Sequence, residues 1–278
     1  MNNFISSLSN PKINDVVCLR KSNERKDSTL FLIEGYREIM RAVESNWQLH
    51  SLFICPDFYL GTNEPQLIQK ITAQKVPLYT CTDSVFKKIS YRDRPDGLLA
   101  VAYQRSLAIE QLDIHYKKQT PFFVMAQSIE KPGNLGTILR SSDAVGVSGL
   151  IVCDRCTDVY NPNVVRASVG TLFTVPIADA SSAELESWLD NKNIAILAAT
   201  PHADKEYTDV DLTIPLVIAV GTEQLGLSER WMKRADLQVR IPMYGVADSL
   251  NVAMATTLLL YEARRQRNLQ KKPISKKI

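Results

Sequence analysis

Three short stretches in the second half of the chain gather residue types that chemistry needs. In KPGNLGTILRSSDAVG (131–146), Asn134 stands six residues before Arg140. Gly133 and Gly136 loosen a loop that enters a helix, and an arginine on the first turns of such a helix faces the strand ends, where an anion can sit. The stretch lacks the lysine of a phosphate-binding P-loop and the three glycines of a dinucleotide fingerprint. A plain loop-to-helix junction with an exposed arginine explains it equally well. In VGTEQLGLSE (220–229), Gly221 allows close backbone approach to a ligand, while Gly226 and Ser228 supply a turn and a helix N-cap. Strand-turn-helix punctuation accounts for everything there except Glu223, a carboxylate at the end of an apolar strand. In IPMYGVADSLNVAMATTLLLYEA (241–263), Ser249 or Asn251 caps a helix whose positions from Leu250 to Tyr261 are nearly all apolar or small. Such a helix is expected to be enclosed on every side, under a covering loop or against a second copy of itself.

The elements that position these stretches follow from hydrophobic patterning. From FFVMAQS onward, short apolar runs alternate with helical ones, and runs such as IAILAA and LVIAV are continuously apolar. That pattern suits a mostly parallel sheet covered on both faces, with ligands beyond the carboxyl ends of its strands. The first hundred residues alternate in the same way: LFLIEG, SLFICPDF, VPLYTCT and GLLAVAY are strand-like and separated by helical runs, which indicates a small α/β sandwich. Before it, PKINDVVCLRKSNERKDST reads as a helix bearing Arg20, Lys21, Arg25 and Lys26, followed by a polar turn. Residues 106–120 read as a linker, which divides the chain into domains 1–105 and 121–268 and leaves 269–278 as a basic tail.

Charge and composition narrow the function classes. The net charge is +3, yet Arg264, Arg265, Arg267, Lys271, Lys272, Lys276 and Lys277 all follow Glu262 with no acid among them. Without those seven, 26 basic residues face 30 acidic ones, which excludes a globally basic nucleic-acid binder but not local patches. Five cysteines at these spacings form no secreted disulfide framework, and the single CxxC, Cys153 to Cys156, has no second pair to complete a zinc site. No metal is expected. No leader and no membrane-spanning run is legible, so a cytoplasmic protein is expected.

Taken together, the three stretches resemble the signature motifs of the SpoU (TrmH-type) family of RNA ribose 2′-O-methyltransferases, within the SPOUT superfamily. YNPNVVRASVGTLFTVPI (160–177) also fits, and the likeness spans about 120–267. EGYREIMRAV in the first hundred residues is similar to the family's ribosomal-protein-like RNA-binding domain. For fold, the resemblance implies an α/β domain closed by a deep trefoil knot, preceded by the small sandwich, and a homodimer. It implies S-adenosylmethionine as cofactor, touched by Gly221, Ile241, Leu250 and Thr200. It implies Asn134, Arg140, Glu223, Ser249 and Asn251 as catalytic residues, with Arg20, Lys21, Arg25, Lys26 and the tail lysines on RNA and Arg166 near the substrate. Arg140 is expected to clamp a phosphate and polarise the ribose hydroxyl, because a guanidinium does not deprotonate in a protein. Ribosomal RNA is the favoured substrate, since minimal family members lack the extra domain. Transfer RNA is the alternative, and a non-catalytic RNA-binding protein with a vestigial knot is the other. One departure from the family is Thr222, placed where it can tune cofactor affinity; another is AMATT after SLNV, which alters packing.

Overall fold

The computed structural model describes residues 3–114, 120–222 and 224–271. Contacts divide the chain into two compact units: one takes in the chain to Ser106 together with Asp158–Thr174, the other Leu107–Thr157 and the chain from Val175 onward.

The first unit contains the expected α/β alternation: β1 (Asn3–Ile5), α1 (Pro11–Cys18), α2 (Ser22–Ser28), β2 (Leu30–Glu34), α3 (Tyr36–Glu44), β3 (Leu49–Ile54), α4 (Glu64–Ala73), β4 (Leu78–Cys81), α5 (Asp83–Ile89) and β5 (Leu98–Tyr103). Its sheet runs β1-β4-β3-β5-β2. Leu32, Phe53, Leu99 and Val101 project from one face of that sheet into a core shared with Ile13 and Val16 of α1 and Val85, Phe86 and Ile89 of α5. The strand β1 has only three residues, too few for a pattern, and exists through parallel pairing with β4.

The single basic helix expected near residue 20 is instead two helices. Arg25 explains the break: its guanidinium is 1% exposed and donates to the freed carbonyls of Leu19 (2.9 Å) and Arg20 (2.8 Å), and to Asp158 (2.7 Å). A buried guanidinium committed to these partners has no donor for RNA, so the expectation for Arg25 is corrected. Arg20 is also largely committed, donating to the carbonyls of Lys88 and Ser90. Lys21 and Lys26 are exposed.

The second unit is built from β6 (Phe122–Gln127), α6 (Pro132–Val145) and β7 (Gly149–Cys153). The chain then leaves it. Residues 158–174, with α7 (Pro162–Ser168), belong to the first unit, where Tyr160 and Phe173 pack on Phe31 and Arg41 donates to the Val169 carbonyl (2.6 Å). By contacts, then, a crossover segment of the domain expected from 121 to 268 packs with the first unit, drawn there by aromatic packing and the Arg25–Asp158 pair. The chain returns through β8 (Ile177–Ala180), α8 (Ser182–Lys192), β9 (Ala195–Ala199), β10 (Leu216–Val220), α9 (Glu229–Arg234), β11 (Leu237–Val239) and α10 (Val252–Lys271).

The six strands are all parallel, in the order β11-β9-β10-β6-β7-β8. Phe123, Met125, Ile151, Ile196 and Val217 face α8 and α9, while α10 packs on α6 and β10. Both faces are thus covered, which is why these strands read as unbroken apolar runs. The expected linker is corrected in part. Ile109 and Leu112 lie in this core, and the Leu107 carbonyl accepts from Asp179 N–H (2.7 Å). Residues 115–119 lie outside the described residues.

Of the two arrangements expected to enclose the last helix, a single chain leaves the second copy of itself to supply part of the cover. Ala253, Thr256, Leu259, Leu260 and Ala263 are buried, but Met254, Leu258 and Tyr261 are 59%, 41% and 54% exposed, continuing a stripe that begins at Leu250. One chain covers only one face of α10. At the far end of the helix, Arg267 is buried and donates to the carbonyls of Leu212, Thr120, Pro121 and Ile214, with its guanidinium 4.5 Å from the Phe122 ring centre. Burial, with Arg264 nearby, lowers it to about 10, so it stays charged at neutral pH. Truncation in Arg267→Ala strands several carbonyls and is expected to cost about 3 kcal/mol in denaturant unfolding. A loss below about 1 kcal/mol would show that water replaces the guanidinium without penalty.

Candidate active site

Parallel register brings the carboxyl ends of the strands to one edge: Val239 pairs with Ala199, Val220 with Ala126, and Gln127 with Cys153. At that edge β6 and β10 are neighbours, but the chain after β6 proceeds toward β7 and the chain after β10 toward β11, on the opposite side. Such a reversal leaves a crevice between two diverging loops. The loop after β6 leads to Asn134, and the loop after β10 begins at Gly221.

Asn134 and Asn251, 117 positions apart, meet there: Asn251 Nδ2 donates to Asn134 Oδ1 at 3.1 Å. Asn134 lies in the first turn of α6, which starts at Pro132. Asn251, not Ser249, caps α10, its Oδ1 accepting from Ala253 N–H (3.0 Å). Further along, Ser141 and Thr257 share a hydrogen bond (2.7 Å) and Arg264 donates to the carbonyls of Val145 and Gly146 at the end of α6. The order of these contacts shows α6 and α10 running in the same direction. Their N-termini therefore lie side by side, and two helix dipoles favour negative charge at one place. Thr256 and Thr257 of the AMATT segment each bond a carbonyl one turn back, and Thr257 also reaches Ser141, so these threonines serve helix packing.

Two expected catalytic residues are not drawn into this contact. Arg140 is exposed, about 9 Å further along α6 and about 240° around it from Asn134, and no described carboxylate pairs with it. Ser249 is exposed without a side-chain hydrogen bond among the described residues. Glu223 lies outside the described residues.

The turn after β10 has its own logic. Thr222 and Gly226 exchange backbone hydrogen bonds of 2.9 and 3.0 Å, and the Thr222 hydroxyl accepts from Leu225 N–H (3.0 Å). A Cβ at Gly221 would stand 2.0 Å from the Gly226 carbonyl oxygen. Gly221 is thus required by the turn's own backbone, a different reason from the ligand approach read in the sequence. Thr222, which departs from the family pattern, holds the same turn.

Sequence reading missed the network beneath this turn. Gln127, a polar residue closing an apolar strand, accepts from Ser228 N–H (3.0 Å) and donates to Ser228 Oγ (3.0 Å) and Asp154 (3.2 Å). Asp154 accepts from both the N–H and the hydroxyl of Ser182, whose Oγ accepts from the indole of the buried Trp231. Burial works to raise the Asp154 carboxyl, but the two Ser182 bonds and Gln127 outweigh it and hold the group below the usual range. A depressed folded-state pKa means the network's contribution is present at neutral pH and lost only in acid. The one legible signal was Gln127, a polar side chain at a strand's carboxyl end.

Thr200, Gly221 and Ile241 follow the ends of β9, β10 and β11, three adjacent strands. The Thr200 hydroxyl accepts from His202 N–H (3.4 Å), and Leu250 is 37% exposed. The first three positions thus open the loops at the carboxyl ends of adjacent strands, where backbone groups are free to meet a ligand. The CxxC pair splits, Cys153 buried with its thiol pushed up to about 12 by burial and Cys156 exposed. Elsewhere, ligand atoms of Cys55, Asp57 and Asp83 lie within 4.8 Å of one another. Burial, then Asp83, pushes the Cys55 thiol up to about 11, and the thiol donates toward Asp83 (3.6 Å). Among the described residues, no helix is long and apolar enough to cross a membrane.

Comparison with known proteins places this geometry. The model of the SpoU rRNA Methylase family matches residues 121–261, and that of the MRM3-like substrate binding domain matches residues 10–100. The 23S rRNA (uridine(2479)-2′-O)-methyltransferase of Streptomyces viridochromogenes is 32% identical over 255 residues, 90% of this chain and 87% of its own. An AdoMet-bound rRNA methyltransferase from Sinorhizobium meliloti superposes with a TM-score of 0.85 at 31% identity, over 95% of this chain and 97% of its own. A structure described as an RNA 2′-O ribose methyltransferase gives a TM-score of 0.83 at 38% identity, over 95% and 99%. The chain belongs to the SpoU rRNA methylase family.

Proposed function

We propose that this chain transfers the methyl group of S-adenosylmethionine to a ribose 2′-oxygen of ribosomal RNA. The observation that carries the reading is the Asn134–Asn251 contact, which joins two expected catalytic residues at the paired N-termini of α6 and α10, beside the switch point of a parallel sheet. The names of the relatives favour ribosomal over transfer RNA, and a ribosomal substrate supports a cytoplasmic protein.

S-adenosylmethionine supplies an electrophilic methyl carbon, held by the turns at Thr200, Gly221 and Ile241 and by Leu250. The chain's own residues do the rest. Arg140, with no described partner, grips the phosphate beside the target ribose and stabilises alkoxide charge as the hydroxyl proton passes to solvent water. Asn251 and Asn134 fix each other's amides and, with Ser249, orient the nucleotide. Glu223 orients Arg140 or Asn134. Lys21, Lys26 and the tail lysines supply salt-dependent RNA affinity. Arg166, exposed on the segment that joins the first unit, adds a cation near the RNA.

The exposed stripe Leu250, Met254, Leu258 and Tyr261 supports a homodimer, since a contiguous apolar helix face demands cover. The family resemblance also implies trefoil threading of this segment within each chain. A Met254→Glu/Leu258→Glu variant is expected to sediment as a monomer where the wild type sediments as a dimer. A monomeric wild type would sink the dimer reading.

The decisive assay is transfer of labelled methyl to total RNA from cells lacking the protein, followed by size separation and nucleoside analysis. Label in 2′-O-methylated nucleosides of large-subunit RNA is expected. Label confined to transfer RNA would replace the substrate, and no label in any RNA together with no cofactor binding would leave a non-catalytic RNA-binding protein.

A further inference from the structure

A cavity of about 440 Å³ lies wholly within the first unit, where α3, the start of α4 and the loop before β5 converge. Three of its walls are acidic and more than nine-tenths buried: Glu38, Glu64 and Asp96 are 5%, 4% and 7% exposed. Each hydrogen bond these acids make leaves something over. Glu64 Oε1 accepts from Gly61 N–H (2.9 Å), but its buried Oε2 has no partner. Asp96 Oδ2 accepts from Tyr36 N–H (3.0 Å), but its buried Oδ1 has none. Arg92 donates through Nη2 to the Glu34 carbonyl (2.8 Å) and Glu38 (2.7 Å), while its buried Nε donates to nothing.

Buried polar atoms in folded proteins find partners, and all three orphans belong to residues that line this one cavity, just behind its surface, which makes it a place for a ligand whose entry uncovers them. Their pattern is two acceptors and a donor. Burial also pushes the Glu38 carboxyl up against the opposing pull of Arg92. The Glu38–Arg92 pair fills the space beside Gly35, where any Cβ would come within 2.4 Å of Glu38 and 2.5 Å of Arg92, so the cradle is built around a glycine with φ +113°. Tyr36, half-buried on the wall, adds an aromatic surface of the kind on which unstacked bases lie.

Guanine alone among the RNA bases offers two adjacent donor groups, N1–H and N2–H₂, next to an acceptor, O6. Adenine and cytosine present one amine beside acceptors, and uracil one N–H between two acceptors. We propose that the cavity receives a single unstacked guanine of the RNA substrate, with its donor edge on Glu64 and Asp96 and O6 toward Arg92. The inference rests on the RNA-methyltransferase reading and makes the first unit a base-specific anchor, not only a basic surface.

Fluorescence anisotropy with the full-length protein tests it, using a short oligouridylate that carries one central guanosine, adenosine or inosine. Inosine keeps N1–H and O6 but lacks the N2 amine. The guanosine oligomer is expected to bind about tenfold tighter than the adenosine one, with inosine between them. In Glu64→Gln the amide oxygen can still accept from Gly61, while its NH₂ opposes the guanine amine, and the guanosine preference is expected to vanish. Equal binding of guanosine and adenosine oligomers, equal binding of inosine and guanosine, or an undiminished preference in Glu64→Gln overturns the proposal. The inosine comparison alters the ligand alone, so it decides even where the variant folds poorly. Methyl transfer to ribosomal RNA, measured alongside, separates the two readings: transfer without a guanine preference sinks only the pocket, and no transfer to any RNA sinks the enzyme.

Discussion

Gly221→Ala is expected to weaken S-adenosylmethionine binding by about a hundredfold, measured by calorimetry, and to lower turnover at limiting cofactor in proportion. An added Cβ would meet the Gly226 carbonyl oxygen at 2.0 Å, its carbon at 2.1 Å and Leu227 N at 2.3 Å. All three are backbone atoms, so no flexible side chain can swing aside. The turn must open, which removes the paired Thr222–Gly226 hydrogen bonds and pulls Ser228 from Gln127. At about 1 kcal/mol per lost hydrogen bond, three bonds amount to about 3 kcal/mol, or about a hundredfold in a binding constant. The strand itself is untouched, since Val220 still pairs with Ala126. The same bonds also support the folded state, so thermal unfolding is expected to fall alongside cofactor affinity. An alanine variant within about threefold of wild-type affinity would remove this turn from the cofactor site.

Arg140→Ala is expected to lower kcat by about a hundredfold to a thousandfold while leaving cofactor affinity unchanged. The side chain is exposed on α6 and has no described carboxylate partner, so truncation should cost little stability and the loss will register in chemistry. Arg140→Lys separates its two roles. Lysine keeps the charge that holds a phosphate but not the planar fork that can hold phosphate and hydroxyl together. We expect Arg140→Lys to recover most RNA affinity and little of kcat. Near-full turnover with weakened RNA binding would show that Arg140 only clamps the phosphate and leaves the hydroxyl to another group.

The Asn134–Asn251 contact and the turn at Gly221 were foreshadowed in the sequence because their signals are local. A polar side chain at a strand's carboxyl end, a glycine opening a turn and an amide at a helix start are each written within a few residues. The three motifs stand where the strand ends of the second unit place them. What misled was burial read from a sequence alone. Arg25 sits in a run with Arg20, Lys21 and Lys26 and looks like the same kind of residue, yet it is a buried hub and two of its neighbours face outward. Three arginines near the end of α10 look like the start of a basic tail. Arg264 instead caps α6, Arg265 pairs with Glu262, and Arg267 holds four strand-edge carbonyls.

By itself, the sequence determined the alternation of strands and helices, the parallel character of the second sheet, the family and the edge at which chemistry collects. These follow from periodicity, apolar run length and turn residues, which act over one or two turns of chain. Tertiary structure alone decided that residues 158–174 join the first unit, that Asn251 rather than Ser249 caps α10 and meets Asn134, that Gly221 serves its own turn, and that α10 leaves one apolar face uncovered. Each of those depends on atoms brought together across long loops of chain, where packing and hydrogen-bond satisfaction choose among partners that local propensity cannot rank.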